Sequence, residues 1–304
     1  MRYQHFFILL ISLVFISCHP RDDSPRLARA GNLSLSDLNN LYSLHTHLVK
    51  PALGDWLDVH EEKGQSFDDY INYKAVCPSA NQNKIYIQLI GEFDSIDNSI
   101  IKTVADYINA FYGLKVVLLD AISDSIIPDN SRRMNEYAEQ LLTKYILYDI
   151  LLPVIPKDAI VLNAITSKDL YPDEDWNFVF GQAALKKRVG VSSLYRYKYD
   201  NPDSVAYALY LRRLMRTATH ELGHMFSLKH CIEYKCLMNG SNSLSEADTK
   251  PLWLCPNCLA KISWCTQYDI LERYDNLIEF FGELGFVEES KFLKESKKVI
   301  SNQK

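Results

Sequence analysis

The chain has 304 residues, 47% hydrophobic and 12% aromatic, which is enough to bury one large core or two modest ones and excludes a disordered protein. With a formal net charge of −5 and no dense basic stripe beyond the C-terminal lysines, nucleic acid is not the expected partner. Lys291, Lys294, Lys297 and Lys298 read instead as a solvated helix face.

At the N-terminus Arg2 precedes an apolar run, Phe6 to Ile16, too short for a resident membrane helix, and Ser17 leads into Cys18. This resembles a bacterial lipoprotein signal. It implies that residues 1–17 are a cleaved signal peptide and that acyl chains on Cys18 anchor the exported chain to a bacterial membrane. His19 is not the aspartate that retains lipoproteins at the inner membrane, so the outer membrane or cell surface is the expected address. An ordinary secretory signal with a coincidental cysteine is the other reading. Residues 18–34 read as a polar tether to a folded domain over residues 35–304.

From Leu35 to Val59 short helical patterns alternate with turns. His45, His47 and His60 have no carboxylate or cysteine at ligand spacing and read as surface or packing residues, and Gly54 to Phe67 is expected to wrap the body as a cap. Lys84 to Ile90 is a buried strand; Ile96 to Tyr112 is a helix capped by Asp94 or Ser95 and stopped by Gly113. Lys115 to Leu119 is a second strand, Arg132 to Leu152 a second helix and Ala159 to Ala164 a third strand. This βαβαβ order gives an α/β (α+β) class with a mostly parallel sheet. Asn177 to Ala183 alternates like an exposed edge strand, followed by a strand over Val189 to Ser193. That edge could pair with an extended peptide, or simply close the sheet. A long helix then starts at Asn201 as cap, with Pro202 at its first position. It runs through His224, with Val205, Ala208, Leu209, Leu211, Leu214, Met215 and Ala218 as its apolar stripe.

The stretch Thr219 to Cys231 carries three histidines and a glutamate at metal-site spacing. On a helix His220 and His224 lie one turn apart on one face, where both imidazoles reach one ion. Glu221 is offset from that face, poorly placed as third ligand and well placed to accept a proton from a water on the metal. His230 completes a trio that leaves the fourth position of a tetrahedral Zn²⁺ open, as in catalytic rather than structural zinc sites. A bare HExxH also occurs on helices that bind nothing; the third histidine, and Met238 behind it, set this stretch apart. Cys231, Cys236, Cys255 and Cys258 form a Cx4C pair and a CxxC pair, the spacing of a tetrathiolate Zn²⁺ site. In an oxidising compartment the same four could form two disulfides, although bound metal protects thiolates from oxidation. Cys77 and Cys265 read as buried thiols, with a bond between them as the alternative. From Leu259 onward the chain is helical, with Tyr268, Leu271, Tyr274, Leu277, Ile278 and Phe281 on one face and a break at Gly282 or Gly285. That face is expected to pack on the cysteine module.

His220, Glu221, His224, His230, Cys231, Cys236 and Met238, followed by Cys255, Cys258 and Lys261, resemble the archaemetzincins, the metzincin branch that joins a histidine zinc site to a cysteine zinc site. Upstream, Gly54 to Leu57, Gly64, Gln65 and Phe67, Asp169 to Pro172, and Trp176 to Ala183 are also similar to that family, so the likeness spans roughly residues 45–265. The resemblance implies a metzincin-like zincin fold. Residues 35–225 would form an upper subdomain with an antiparallel edge strand and a long active-site helix, and residues 226–304 a smaller lower one with the Met-turn at Met238, the cysteine site and the terminal helices. It further implies a zinc metallopeptidase acting on peptide or protein substrates. Two Zn²⁺ per chain are expected, a catalytic one on His220, His224 and His230 and a structural one on Cys231, Cys236, Cys255 and Cys258. Glu221 is the expected general base for a zinc-activated water.

One residue departs from the pattern: Ser227 stands where the family has a glycine that turns the chain at positive φ. Serine adopts that conformation at a cost of about 1 kcal/mol, so zinc is still expected to bind. Two other classes stand beside the enzyme. One is a catalytically weak or inactive zinc-binding surface lipoprotein acting as a binding module; the other is a disulfide-stapled lipoprotein whose histidines are incidental.

Overall fold

The computed structural model describes residues 33–301; the leader, Cys18 and nearly all of the tether lie outside the described residues. Helices α1 (Leu35–Tyr42), α2 (Trp56–Val59) and α3 (Phe67–Asn72) precede the sheet. The central sheet has the order β2-β1-β5-β8-β7, with β1 at Lys84–Ile90, β2 at Lys115–Ile122, β5 at Ala159–Thr166, β7 at Gly181–Ala184 and β8 at Val189–Ser193. All pairs are parallel except β7 on β8, which is antiparallel and forms the edge. Every residue of β5 and β8 is buried, as a sheet covered on both faces requires.

The crossover helix α4 (Ser95–Tyr112) starts on a reciprocal cap between Asp94 and Asp97 and stops where Gly113 turns left-handed at φ 66°. The second crossover differs from the sequence expectation. Instead of a helix from Arg132 there is a hairpin, β3 (Arg132–Met134) and β4 (Glu139–Leu142), which joins β6 (Asp169–Tyr171) in a small second sheet. Asn135 drives the turn, its side-chain oxygen accepting from the amides of Tyr137 and Ala138. Gln140 is drawn to Asp169, whose buried carboxylate is also gripped by both arms of the Arg196 fork. Helix resumes only as a turn, α5 (Thr143–Tyr145), which widens into a π-helical stretch over Ile146–Leu151. The expected edge strand is likewise shorter: Val179 bridges to Leu170 of the second sheet, and regular pairing begins at Gly181.

Helix α6 (Ser204–Met225) is about 33 Å long and crosses under the sheet. Its cap is Asp203, which accepts from the amides of Val205 and Ala206, two residues beyond the expected Asn201; Asn201 itself takes a positive φ of 49°. Leu211, Leu214, Met215 and Ala218 are buried as expected, whereas Val205 is 74% exposed because the first turn projects past the core. Helices α7 (Leu244–Asp248), α8 (Pro256–Thr266), α9 (Ile270–Glu283) and α10 (Val287–Ser301) follow. The face with Tyr274, Leu277 and Phe281 docks on α4, not on the cysteine module: Tyr107 meets Phe280 and Phe281, and Arg273 donates to the carbonyl of Phe111. The four terminal lysines are on the solvent side, Lys297 paired with Asp275.

Cys77 and Cys265 are joined in a disulfide, which corrects the reading of both as thiols. His45 packs on Phe292, His47 on Tyr234 and His60 between Trp56 and Trp176, so all three are packing residues. No helix among the described residues is long and apolar enough to cross a membrane.

Candidate active site

The last two turns of α6 carry His220, Glu221 and His224, and the loop beyond them brings His230 back over the site. Helix α6 ends in a Schellman pattern: Ser227 donates to the carbonyl of His224 and Leu228 to that of Gly223. Ser227 is the left-handed residue of that pattern, at φ 71°. Its hydroxyl replaces part of what a glycine would save, accepting from the amide of Val76 at 3.1 Å and donating to the carbonyl of Leu185 at 3.4 Å. Below the helix, Met238 lies so close that a Cβ on Gly223 would sit 2.5 Å from its sulfur.

Each imidazole is fixed through its Nδ1. His220 Nδ1 bonds the carbonyl of Leu237 at 2.9 Å, His224 Nδ1 that of Leu228 at 2.7 Å, and His230 Nδ1 the carboxylate of Glu62 at 2.7 Å. A carbonyl only accepts, so Nδ1 carries the proton in the first two rings and both Nε2 atoms present lone pairs. Those two lone pairs face each other at 3.0 Å, where neither can donate. A cation between them resolves the repulsion, and tetrahedral zinc at about 2.0–2.1 Å from each nitrogen asks for a separation of roughly 3.4 Å. The ligand atoms of all three histidines lie within 4.8 Å of one another. Burial and mutual repulsion hold His220 well below the usual histidine pKa, and burial brings His224 to about 3, so both rings are neutral and able to bind metal.

Glu221 is 6% exposed and burial pushes its carboxyl to about 8 in the metal-free chain; a cation beside it would draw that value down. It makes no hydrogen bond among the described residues. Gly181 of β7 makes room for it, since a Cβ there would be 2.7 Å from Glu221 Cγ. The histidines and Glu221 open into a groove of about 1000 Å³, walled by Trp56, Trp176, Phe178 and Phe180 and roofed by Gly181 to Ala183.

Cys231, Cys236, Cys255 and Cys258 are free, buried and mutually close, joined by no disulfide in this structure. Cys231 and Cys255 sulfurs are 3.6 Å apart, against roughly 3.8 Å for two corners of a zinc tetrahedron with 2.3 Å bonds. The amides of Met238 and Cys255 point at the sulfur of Cys236, which favours thiolate there. Asn239 staples the loop, accepting from the amide of Cys236 and donating to the carbonyls of Cys231 and Tyr234. The backbone of Cys231 is paired with Met238, so His230, the cysteine cluster and the methionine share one rigid junction. The predicted histidines and cysteines thus come together as two clusters. Sequence reasoning missed Glu62 and Asn239, and it gave no role to Gln65, Trp56, Trp176, Phe178 or Phe180, which it named only within family-like segments. Glu62 and His230 are 168 positions apart, a contact that no spacing rule reveals. Burial works against ionisation of Glu62, and the bonds from His230 and Trp56 outweigh it, holding its pKa below the ordinary value.

Three imidazoles converging beside a buried carboxylate at a sheet edge, on a mixed α/β frame, define the class: a zinc metallopeptidase. The comparisons agree. Residues 83–264 match the model of peptidase family M54. Human Archaemetzincin-2 is 35% identical over 286 residues, covering 82% of this chain and 76% of its own, and the Archaemetzincin of Thermococcus kodakarensis is 32% identical over 185 residues, 57% of this chain and 94% of its own. The crystal structure of Archaemetzincin from Methanopyrus kandleri superposes with a TM-score of 0.50 at 29% identity, covering 61% of this chain and 96% of that one. The chain belongs to the archaemetzincins, peptidase family M54.

Proposed function

We propose that this chain hydrolyses peptide bonds of peptide or protein substrates in the groove above His220, His224 and His230. The observation that carries the reading is the pair of unprotonated Nε2 atoms at 3.0 Å next to a carboxylate that makes no hydrogen bond among the described residues. Zinc bound by the trio would supply Lewis acidity, polarising a peptide carbonyl and making a water acidic enough to ionise near neutral pH. Glu221 accepts that water's proton and returns it to the leaving amine; its burial, opposed by the nearby cation, keeps its basicity in a useful range. Edge strand β7 aligns the substrate. Ser193 donates to the carbonyl of Phe180 at 2.9 Å, and by the alternation of an antiparallel ladder the amides and carbonyls of Gly181 and Ala183 face the groove. An extended peptide can pair there through its main chain, with little regard to sequence. Met238 would underlie the metal without bonding it, as in a metzincin. A second zinc on Cys231, Cys236, Cys255 and Cys258 would be structural, holding the loop that presents His230.

The same reading places the chain outside the cytoplasm, anchored through Cys18. The lipoprotein-like leader supports it, and so does the Cys77–Cys265 bond, since disulfides persist in oxidising compartments. The test of the hydrolase is Glu221→Gln assayed on a quenched-peptide library. Zinc content should be unchanged and turnover should fall about 100- to 10,000-fold, the loss that removing a general base produces. Turnover within tenfold of the parent excludes the role given to Glu221.

A further inference from the structure

Two of the three site histidines are held by carbonyls of the loop that follows α6. The third is held from elsewhere: Glu62 lies on the strap between α2 and α3, outside residues 83–264 that match the family model. The strap makes a continuous set of contacts to the loop that carries His230. Glu62 Oε1 accepts from His230 Nδ1 at 2.7 Å and from Trp56 Nε1 at 2.8 Å. Trp56 stands edge-on to the His230 ring, centroids 4.9 Å apart and planes at 83°. Gln65 spans the loop, donating to the carbonyl of Ser227 at 3.1 Å and accepting from the amide of Lys229 at 3.2 Å, while buried Lys261 donates to the carbonyl of Gln65. Gly64, at φ 64°, lets the backbone approach so closely that a Cβ would lie 2.9 Å from Ile232.

We propose that residues 56–65 form a clamp in which Glu62 is a positioning residue for His230, fixing its Nδ1–H tautomer and ring plane so that Nε2 points at the metal. This rests on the reading that the trio holds zinc. A carboxylate behind a ligating imidazole also makes it a stronger donor, whereas His220 and His224 have only neutral carbonyls behind them. The clamp therefore sets the affinity of the histidine site while leaving the cysteine site untouched. Gln65 contributes by fixing the loop backbone on both sides of Leu228.

The test uses the full zinc-loaded chain and its Glu62→Ala and Glu62→Gln variants. Zinc release is followed against graded chelator, with metal and free thiols counted in each fraction. The parent should release two zinc ions in separate steps. Glu62→Ala should lose the thiol-independent zinc at roughly 10–100-fold higher free zinc than the parent, the usual effect of deleting such a partner. Glu62→Gln, whose amide oxygen still accepts from Nδ1, should lose it at a value between the two. The thiol-linked step should not move in either. Equal release of the thiol-independent zinc in a folded Glu62→Ala chain overturns the clamp. If that variant does not fold, Glu62→Gln decides alone: at least a threefold weakening supports the clamp and parental affinity overturns it. A parent that binds only thiol-linked zinc takes down both this proposal and the reading it rests on. A parent with two zinc ions and indifferent Glu62 variants sinks the clamp alone.

Discussion

Ser227 is where opposing energies can be weighed residue by residue. Its left-handed backbone, φ 71°, costs about 1–2 kcal/mol relative to glycine. Against this, its hydroxyl satisfies the half-buried amide of Val76 at 3.1 Å and contacts the carbonyl of Leu185 at 3.4 Å. A net hydrogen bond is worth about 1 kcal/mol, and leaving a buried amide unpaired costs about 1–3 kcal/mol. Ser227→Gly relieves the strain and orphans the amide, a net loss of about 1 kcal/mol. Ser227→Ala keeps the strain and loses the bonds, about 2 kcal/mol. Stability should fall in the order serine, glycine, alanine, each step about 1 kcal/mol or about 2–4 °C in melting temperature for a domain of this size. Thermal unfolding of the zinc-loaded, disulfide-intact chains measures it. A Ser227→Gly chain more stable than the parent would refute the idea that the hydroxyl compensates for the missing glycine.

Gly181→Ala forces a Cβ to 2.7 Å from Glu221 Cγ and 2.9 Å from the carbonyl of Val191, so peptidase activity should drop at least 100-fold while zinc content stays at the parental value; metal analysis beside a kinetic assay checks both. Replacing Cys77 and Cys265 together by alanine opens a loop of 188 residues and should lower stability by about 2–5 kcal/mol, read from urea unfolding. In the metal-free chain, His45 at about 4 and His224 at about 3 are depressed below the ordinary histidine value. The unfolded chain takes up protons first, so their contribution is complete above about pH 6.5 and is lost as pH falls toward 4 and 3. Glu221, raised to about 8, has the opposite sign: its contribution is complete below about pH 4.5 and is lost as pH rises through 8. Glu221→Gln should therefore stabilise the metal-free chain at pH 8 and not at pH 4, measured by urea unfolding at the two values.

The elements visible in the sequence were those set by local periodicity or ligand chemistry. Ile85, Ile87 and Ile90 of β1, the cap at Asp94, the stop at Gly113 and the two clusters of metal-ligating residues could all be read from a few neighbouring positions. Where the reading failed, a distant partner decided. Arg132 to Leu142 has enough helix formers to look helical, yet Asn135 turns the chain and Gln140 and Arg133 are recruited by Asp169, Trp176 and Asn177. The terminal helices follow the predicted spacing, but only the fold determines that α9 covers α4 while α10 lies on α9 and α1. Glu62 was invisible for the same reason. Nothing in its neighbourhood distinguishes it from the adjacent Glu61 until His230 is placed against it.

Hydrolysis at this site requires zinc held by His220, His224 and His230 with one side left open toward Glu221. Anomalous diffraction at the zinc absorption edge, on crystals of the zinc-loaded chain, tests this most directly. It should show one peak about 2.0–2.1 Å from the three Nε2 atoms and another about 2.3 Å from the four cysteine sulfurs. A peak at the cysteines alone, or a fourth protein ligand closing the histidine site, would contradict it.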